Sequence, residues 1–134
     1  VKSISKLKKE LDKWFSLYIR LRDATDEGLC QCFTSGRVYH YKSMHAGHFM
    51  SRKRLSTRWC EANVQPQSPA DNLFGQGEQY KFGLNLDAKY GDGAAEELQL
   101  KSRQTLKMSR VDYEDKIVYY KEAVKNLKKE KGIE

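Results

Sequence analysis

The sequence predicts an α+β protein in which a small core, a β-hairpin plus a helix (ββα), is flanked by long N- and C-terminal amphipathic helices. Apolar residues recur at helical spacing at both ends of the chain, and the middle carries short strand-like runs among turn residues. A length of 134 residues supports one modest core. We therefore expect a single domain over 1–134, with a helix at 3–23, the core at about 28–91 and C-terminal helices within 93–131.

Both terminal segments have the pattern of amphipathic helices. Residues 3–23 carry one apolar stripe, and Ser3 or Ser5 can cap the start of the helix. Residues 109–131 repeat the design, with Ser109 as the expected cap. Because an apolar stripe needs a partner, we expect the two helices to pack on each other or on the middle of the chain.

The middle of the chain carries the signals of short strands and helices. Strands are expected at Arg37–Tyr41 and Met44–Met50, joined as a hairpin by a tight turn at Lys42–Ser43. Further helices are expected from about Gly77 to residue 90 and over 93–103.

The charge distribution points to a polyanionic partner. The net charge is +7, and most of the excess lies in residues 28–60, which hold six Lys and Arg residues, all three histidines and no acidic residue. Concentrated positive potential attracts polyanions, of which nucleic acid is the commonest. The alternative is a solvated surface that only keeps the protein soluble, but the one-sided block favours nucleic acid.

Composition excludes several other classes. No run approaches the roughly 18 apolar residues of a membrane span, and the start lacks the charged-then-apolar pattern of a signal peptide. Three cysteines are too few, and odd in number, for a disulfide framework, so a reducing cytoplasm is expected. A chain that begins at Val1 is expected to be trimmed or processed.

His48, Asn63 and Asn72 carry the most useful chemistry. His–Asn–Asn at separations of 15 and 9 residues, in a strand–strand–helix context, is the pattern of the HNH, or ββα-metal, nucleases. Near neutral pH an imidazole can take the proton of an attacking water molecule. An uncharged amide can hold the loop without shifting the base, and a divalent cation offsets charge on the phosphate. We expect His48 as general base and Asn63 as the residue that orients its loop.

The cation, Mg²⁺ or Mn²⁺, is expected at Asn72 and His45. His45 lies three residues before His48, so the two face opposite sides of a regular strand unless Gly47 supplies a bend or bulge. The alternative for His45 is an exposed basic-patch residue that contacts phosphate. A group of basic residues follows this strand and is expected to bind DNA phosphates: Arg52, Lys53, Arg54 and Arg58.

Several short motifs extend this pattern. They are the AGHF of Ala46–Phe49, the dipeptide Arg58–Trp59, the block Asn63–Asn72, and the later Lys89-Tyr90-Gly91. In this combination, over about residues 5–130, the chain resembles the NinG/Rap family of phage recombination endonucleases.

The resemblance implies a divalent-metal-dependent endodeoxyribonuclease that resembles Holliday junction resolvases. It would cleave branched double-stranded DNA, such as Holliday junctions and D-loops, in the cytoplasm of the bacterial host. On this basis His48 corresponds to the catalytic histidine of the family, and His45 falls where the family can carry an acidic residue. Two alternatives stay open: a non-catalytic DNA-binding recombination accessory protein, and a sequence-specific HNH nuclease.

One departure from the family concerns zinc. The family carries two Cys-x-x-Cys pairs, which together make a tetrahedral structural site. The corresponding positions here are Cys32, Ser35, Ser68 and Asp71. One thiolate, one carboxylate and two hydroxyls are a poor zinc site, so no structural zinc is expected.

A homodimer is the expected assembly on a branched substrate. Such a substrate has near two-fold symmetry, and a two-fold dimer would present two sites in that relation. The terminal helices could form its interface, or their stripes could pack within one chain.

Overall fold

The computed structural model describes residues 1–134. In chain order the elements are α1 (Ile4–Arg22), β1 (Leu29–Gln31), β2 (Val38–His40), β3 (His45–His48), α2 (Leu55–Arg58), β4 (Val64–Gln67), α3 (Gln79–Tyr90), α4 (Ala94–Ser102) and α5 (Arg110–Lys131). A 3₁₀ turn over Tyr41–Ser43 precedes β3, and a π-helical turn over Ala70–Phe74 follows β4. The predicted α+β class is confirmed.

The terminal helices begin and end where the sequence predicts. The Ser3 side chain accepts from the Lys6 backbone N–H at 3.2 Å. Ser109 and Asp112 form a reciprocal capping box, in which each side chain accepts from the other residue's backbone N–H. Gly132 ends α5 in the left-handed conformation, with φ of 68°.

The two terminal helices pack on each other and on the segment that follows β3. Their shared apolar cluster comprises Leu7, Leu11, Phe15, Ile19, Trp59, Val64, Tyr113, Ile117 and Tyr120. The Phe15 and Tyr120 rings meet edge to face at 4.9 Å. Since Trp59 and Val64 flank the loop that carries Asn63, the helix pair is a platform for that loop.

The predicted hairpin between 37–41 and 44–50 is wrong, although both segments contain strands. β2 pairs with β1, and β3 pairs with β4, so the protein has two separate antiparallel hairpins. The physical reason lies in the 3₁₀ turn at Tyr41–Ser43. Tyr41 is buried and its N–H donates to the Gly28 carbonyl, which holds β2 on β1 while the turn redirects the chain.

The order strand, strand, helix is present in β3, β4 and α3. The helix predicted from about Gly77 begins at Gln79, and the one predicted at 93–103 is α4. In β3 and β4, His45 lies opposite Gln67 and His48 opposite Val64, without a bulge.

Gly47, at the centre of β3, has no room for a side chain. A Cβ atom there would lie 1.9 Å from Gln67 Oε1. Gln67 is fully buried, and its Nε2 donates to Thr34 Oγ1 at 3.0 Å and to the Gly77 carbonyl at 2.9 Å. The pairing of β3 with β4 therefore requires glycine at position 47.

We expect Gly47→Ala to lower the free energy of unfolding by about 1–3 kcal/mol, because the buried Gln67 amide would have to move. Urea unfolding measures this change. Gly83→Ala in α3 is the control, since its Cβ meets Phe49 at an ordinary 3.4 Å and helix propensity favours alanine. Equal destabilisation by both substitutions would contradict the explanation.

Candidate functional site

The structure brings Asn72 and His45 into direct contact, with Asn72 Nδ2 3.0 Å from His45 Nδ1. Their contact follows from the register of the hairpin. His45 starts β3 opposite Gln67, the last residue of β4, and the π-helical turn then carries Asn72 back beside the His45 ring. The Asn72 N–H donates to the Ser68 carbonyl at 2.9 Å, which fixes this return.

Spacing and chemistry fit this pair to a divalent cation. The 3.0 Å separation is that of a hydrogen bond from the Asn72 amide to the His45 ring. Two adjacent ligands of an octahedral ion, each at about 2.1 Å, would lie at a similar distance from each other. Once the amide is turned, Asn72 offers a hard oxygen and His45 an imidazole nitrogen. Neither residue is acidic, so the cation would depend on phosphate oxygens for negative ligands.

His48 is half-buried and shares a shallow cavity of about 290 Å³ with Asn72 and Arg52. Its Nε2 lies 2.9 Å from the Arg58 carbonyl oxygen. Because a carbonyl only accepts, Nε2 carries the hydrogen, and the free lone pair of the neutral ring is on Nδ1. Burial lowers the pKa of His48 from its usual 6.5, although the Arg58 carbonyl opposes the shift. The ring is therefore a free base at physiological pH.

His45 and His48 leave β3 on opposite faces. The strand pairs in regular register over its whole length, so the bend or bulge expected at Gly47 is absent. Asn72 links the two faces instead, because it contacts the His45 ring and lines the cavity that holds His48.

Asn63 is fully buried and fixes the segment that leaves β3. Its Oδ1 accepts from the Met50 N–H at 2.8 Å, and its Nδ2 donates to the Met50 carbonyl at 3.1 Å and to the Thr57 carbonyl at 3.0 Å. These bonds join the end of the His48 segment to α2. The geometry has the form expected of a residue that orients the loop.

The basic residues after β3 fall into two groups. Arg52, Lys53 and Arg54 are exposed. Arg58 is bound by both Asp12 carboxylate oxygens, Nε to Oδ1 at 3.2 Å and Nη2 to Oδ2 at 2.6 Å. A phosphate contact by Arg58 would therefore compete with Asp12. Arg52 lies 3.9 Å from the same carboxylate, whereas Lys53 and Arg54 form no ion pair.

Asp12 is a site residue that sequence reasoning misses. Besides Arg58 it accepts from Trp59 Nε1 at 2.9 Å. Asp12 thereby anchors Arg58 to α1, and the Arg58 carbonyl accepts the hydrogen bond from His48 Nε2. On α1, Asp12 has the pattern of an ordinary solvated charge. The sequence signal for an acidic partner was the Arg58–Trp59 dipeptide, because its guanidinium and indole N–H groups both need a hydrogen-bond acceptor.

The four positions that correspond to the family's zinc ligands lie together. Cys32 Sγ accepts from the backbone N–H groups of Ser35 at 3.5 Å and Ser68 at 3.2 Å. Asp71 Oδ2 is 3.8 Å from the same sulfur and accepts from Thr34 Oγ1 at 2.5 Å. Hydrogen bonds thus join the two loops at these positions. That no structural zinc binds here stays a prediction, supported by a donor set with a single thiol.

The Cys32 cluster favours a thiolate. Burial alone would raise the pKa of Cys32, but hydrogen bonds from the Ser35 side chain and from the backbone of Ser68, Ser35 and Thr34 lower it to about 7. By contrast, burial raises the pKa of Cys30 to about 11. A thiolate, which forms as the pH rises through about 7, would strengthen the bonds from the backbone N–H groups, while the Asp71 carboxylate 3.8 Å away opposes it.

The largest cavity, about 670 Å³, lies beside this cluster and not at His48. It is open and polar, and its lysine Lys89 donates to Gln65 Oε1 at 3.2 Å. It contains no histidine. No group of three or more His, Cys, Asp or Glu residues in the protein is arranged to hold a metal ion. This holds for the surroundings of His45 and Asn72 as well, so a cation there would depend on ligands from outside the protein.

We expect the Cys32 thiolate to make stability depend on pH. Its folded pKa of about 7 lies below the ordinary value of 9.0, so its contribution is full above pH 9 and is lost as the pH falls through 7. Wild-type protein should exceed Cys32→Ser in unfolding free energy by about 1–2 kcal/mol more at pH 9 than at pH 6. Urea unfolding at both values measures this difference.

Cys60→Ser is the matched control, because the Cys60 sulfur accepts only from Lys101, at 3.7 Å. Its difference from wild type should stay constant between the two pH values. A Cys32→Ser difference that is equally constant would show that this sulfur carries no stabilising charge.

No helix of the protein is both long enough and apolar enough to cross a membrane. Neither curated proteins nor solved structures give a significant match to the chain. The family model described as Bacteriophage Lambda NinG protein matches residues 1–130. Because this match spans nearly the whole sequence, the chain belongs to the NinG family of bacteriophage proteins.

Proposed function

We propose that this protein is a structure-selective DNA endonuclease that cleaves branched recombination intermediates by metal-assisted phosphodiester hydrolysis. The observation that carries the proposal is the contact of Asn72 with His45 at 3.0 Å, together with the cavity that Asn72 shares with His48. The order β3, β4, α3 supports an HNH-like (ββα-metal) core. The sequence resemblance to phage recombination endonucleases supports the substrate class.

His48 and its neighbours perform the proton transfer. His48 Nδ1 takes a proton from a water molecule as the water oxygen bonds to phosphorus. The bond from phosphorus to the leaving oxygen breaks, and that oxygen takes a proton from solvent. The resulting imidazolium is stabilised because its Nε2–H still donates to the Arg58 carbonyl. Mg²⁺ or Mn²⁺, held by His45 and Asn72, would supply positive charge that offsets the charge growing on the phosphate.

The exposed residues Arg52, Lys53 and Arg54 support binding through phosphates. Arg52 lines the His48 cavity, so a phosphate bound by Arg52 would lie beside the base. The helix that follows these residues, α2, has only four residues, too few to read bases in a groove. DNA contacts are therefore expected to follow backbone and shape and not sequence.

Exposed apolar side chains support a preference for branched DNA. Leu73 and Phe74 follow Asn72 directly and are 60% and 86% exposed, and nearby Tyr80 is 82% exposed. At a branch point bases lose a stacking partner, and apolar or aromatic side chains can stack on them or wedge between them. In linear duplex the same bases are covered.

The second candidate function is a DNA-binding recombination accessory protein without catalysis. The observation in its favour is that the His45–Asn72 pair lacks a carboxylate. We further propose that the protein acts in the host cytoplasm. A homodimer would provide the paired cuts that resolve a four-way junction, yet the stripes of α1 and α5 already pack within one chain.

We expect the protein to nick a fluorescent four-way junction in Mg²⁺ and to bind it without cutting in EDTA. His48→Ala should keep binding nearly intact and lower the cleavage rate by at least about 10²-fold, because the proton acceptor is lost. Gel electrophoresis of the products measures both effects. Cleavage retained by His48→Ala would exclude this base. If the unaltered protein binds the junction but gives no product in Mg²⁺, the accessory function is favoured. If it cleaves linear duplex as well as the junction, a sequence-specific nuclease is favoured.

We expect Phe74→Ala to reduce the preference for four-way junction over linear duplex by roughly fivefold or more, since base–aromatic stacking is worth about 1–3 kcal/mol. Competition binding in EDTA measures this ratio. Tyr119→Ala, an exposed aromatic on α5, is the control and should leave the ratio unchanged. An unchanged ratio for Phe74→Ala would remove this explanation of branch selectivity.

A further inference from the structure

A second basic cavity lies next to the candidate site. It has a volume of about 440 Å³ and is bordered by the start of α1 and by the loop after β3. Its lining residues are Ser5, Lys8, Lys9, Asp12, Arg52 and Arg58. Arg52 also lines the cavity that holds His48 and Asn72. The two cavities therefore share Arg52, and the surface from the His48 cavity over Arg52 to Lys8 and Lys9 is called the path.

The charges in this path are strongly one-sided. Four basic side chains face a single carboxylate, that of Asp12, which already pairs with Arg58 at 2.6 Å and with Arg52 at 3.9 Å. Neither Lys8 nor Lys9 takes part in an ion pair, and Lys9 is exposed. The path therefore has positive charge that nothing within the protein neutralises.

The placement of the lysines is unfavourable for the helix itself. The N-terminal end of a helix carries partial positive charge, so lysines near it raise local electrostatic energy. α5 follows the favourable rule, with Asp112 in its first turn and lysines in its last. α1 has no acidic residue in its first turn, and Lys8 and Lys9 follow within the next turn. An anion bound at this end of α1 would compensate the repulsion.

We propose that the first three turns of α1 bind the phosphate backbone of a DNA arm that runs from the His48 cavity past Arg52 to Lys8 and Lys9. This inference rests on the proposed function and extends it, because it adds α1 to a DNA surface that the sequence confines to residues 52–58. Ser5, Lys8, Lys9 and Asp12 recur at three- and four-residue spacing, so they share one face of the helix. Lysine binds phosphate as a point charge and does not read bases, so this face of α1 is expected to contact the DNA backbone.

The test is the salt dependence of binding to a fluorescent four-way junction in EDTA, where no cleavage occurs. Each phosphate neutralised contributes about −0.9 to the slope of log K against log salt concentration. Lys8→Gln/Lys9→Gln should make the slope shallower by about 2 and weaken binding about tenfold or more at roughly 0.1 M salt. Glutamine preserves helix propensity, and thermal unfolding followed by circular dichroism verifies the fold.

Lys125→Gln/Lys129→Gln, on exposed positions of α5, removes the same charge and is the control. It should leave the slope within about 0.5 of wild type. An unchanged slope for the α1 variant, or an equal loss in both variants, overturns the inference. The proposed function survives that result if the unaltered protein still cleaves the junction in Mg²⁺. Failure of the unaltered protein to bind the junction overturns both.

Discussion

The register between β3 and β4 is the constraint on which the rest of the site depends. It sets His45 against Gln67 and His48 against Val64, and it returns the chain after β4 so that Asn72 reaches the His45 ring. A slip of one residue would turn every side chain of β3 to the other face. In this register glycine at position 47 leaves the room that the buried Gln67 side chain occupies.

Two polar anchors, the buried Asn63 and the partly buried Asp12, give the site beside this hairpin a fixed geometry. Asn63 ties the segment after β3 to α2 through both edges of its amide. Asp12 fixes Arg58 to α1, and the Arg58 carbonyl in turn sets which nitrogen of His48 is basic. The long helix pair thus contributes to the candidate chemistry although it carries none of the reacting groups. Hydrogen bonds from Asn63 and Asp12 fix the site, and neither His45 nor Asn72 offers a carboxylate to a cation.

Local signals explain what the sequence could predict. Caps at Ser3 and Ser109 and apolar periodicity determine where α1 and α5 lie, because these signals act within one helix. Strand pairing depends on distant residues, so the partners of β2 and β3 could not be read from their own short segments. The sequence predicts a shared ligand role for His45 and Asn72, and their contact fits it. The sequence also requires a bend or bulge at Gly47 before His45 and His48 can share a site, and the regular register has none. That Asn72 reaches both the His45 ring and the His48 cavity could be seen only in three dimensions.

The proposed hydrolysis depends on a divalent cation held by His45 and Asn72. The most direct measurement is anomalous diffraction from crystals of the His48→Ala protein bound to a four-way junction in Mn²⁺, where the DNA stays intact and supplies phosphate ligands. The account predicts an anomalous peak within bonding distance of both the His45 ring and the Asn72 amide oxygen. A bound junction with no peak there, or with its cation held by other residues, would contradict it.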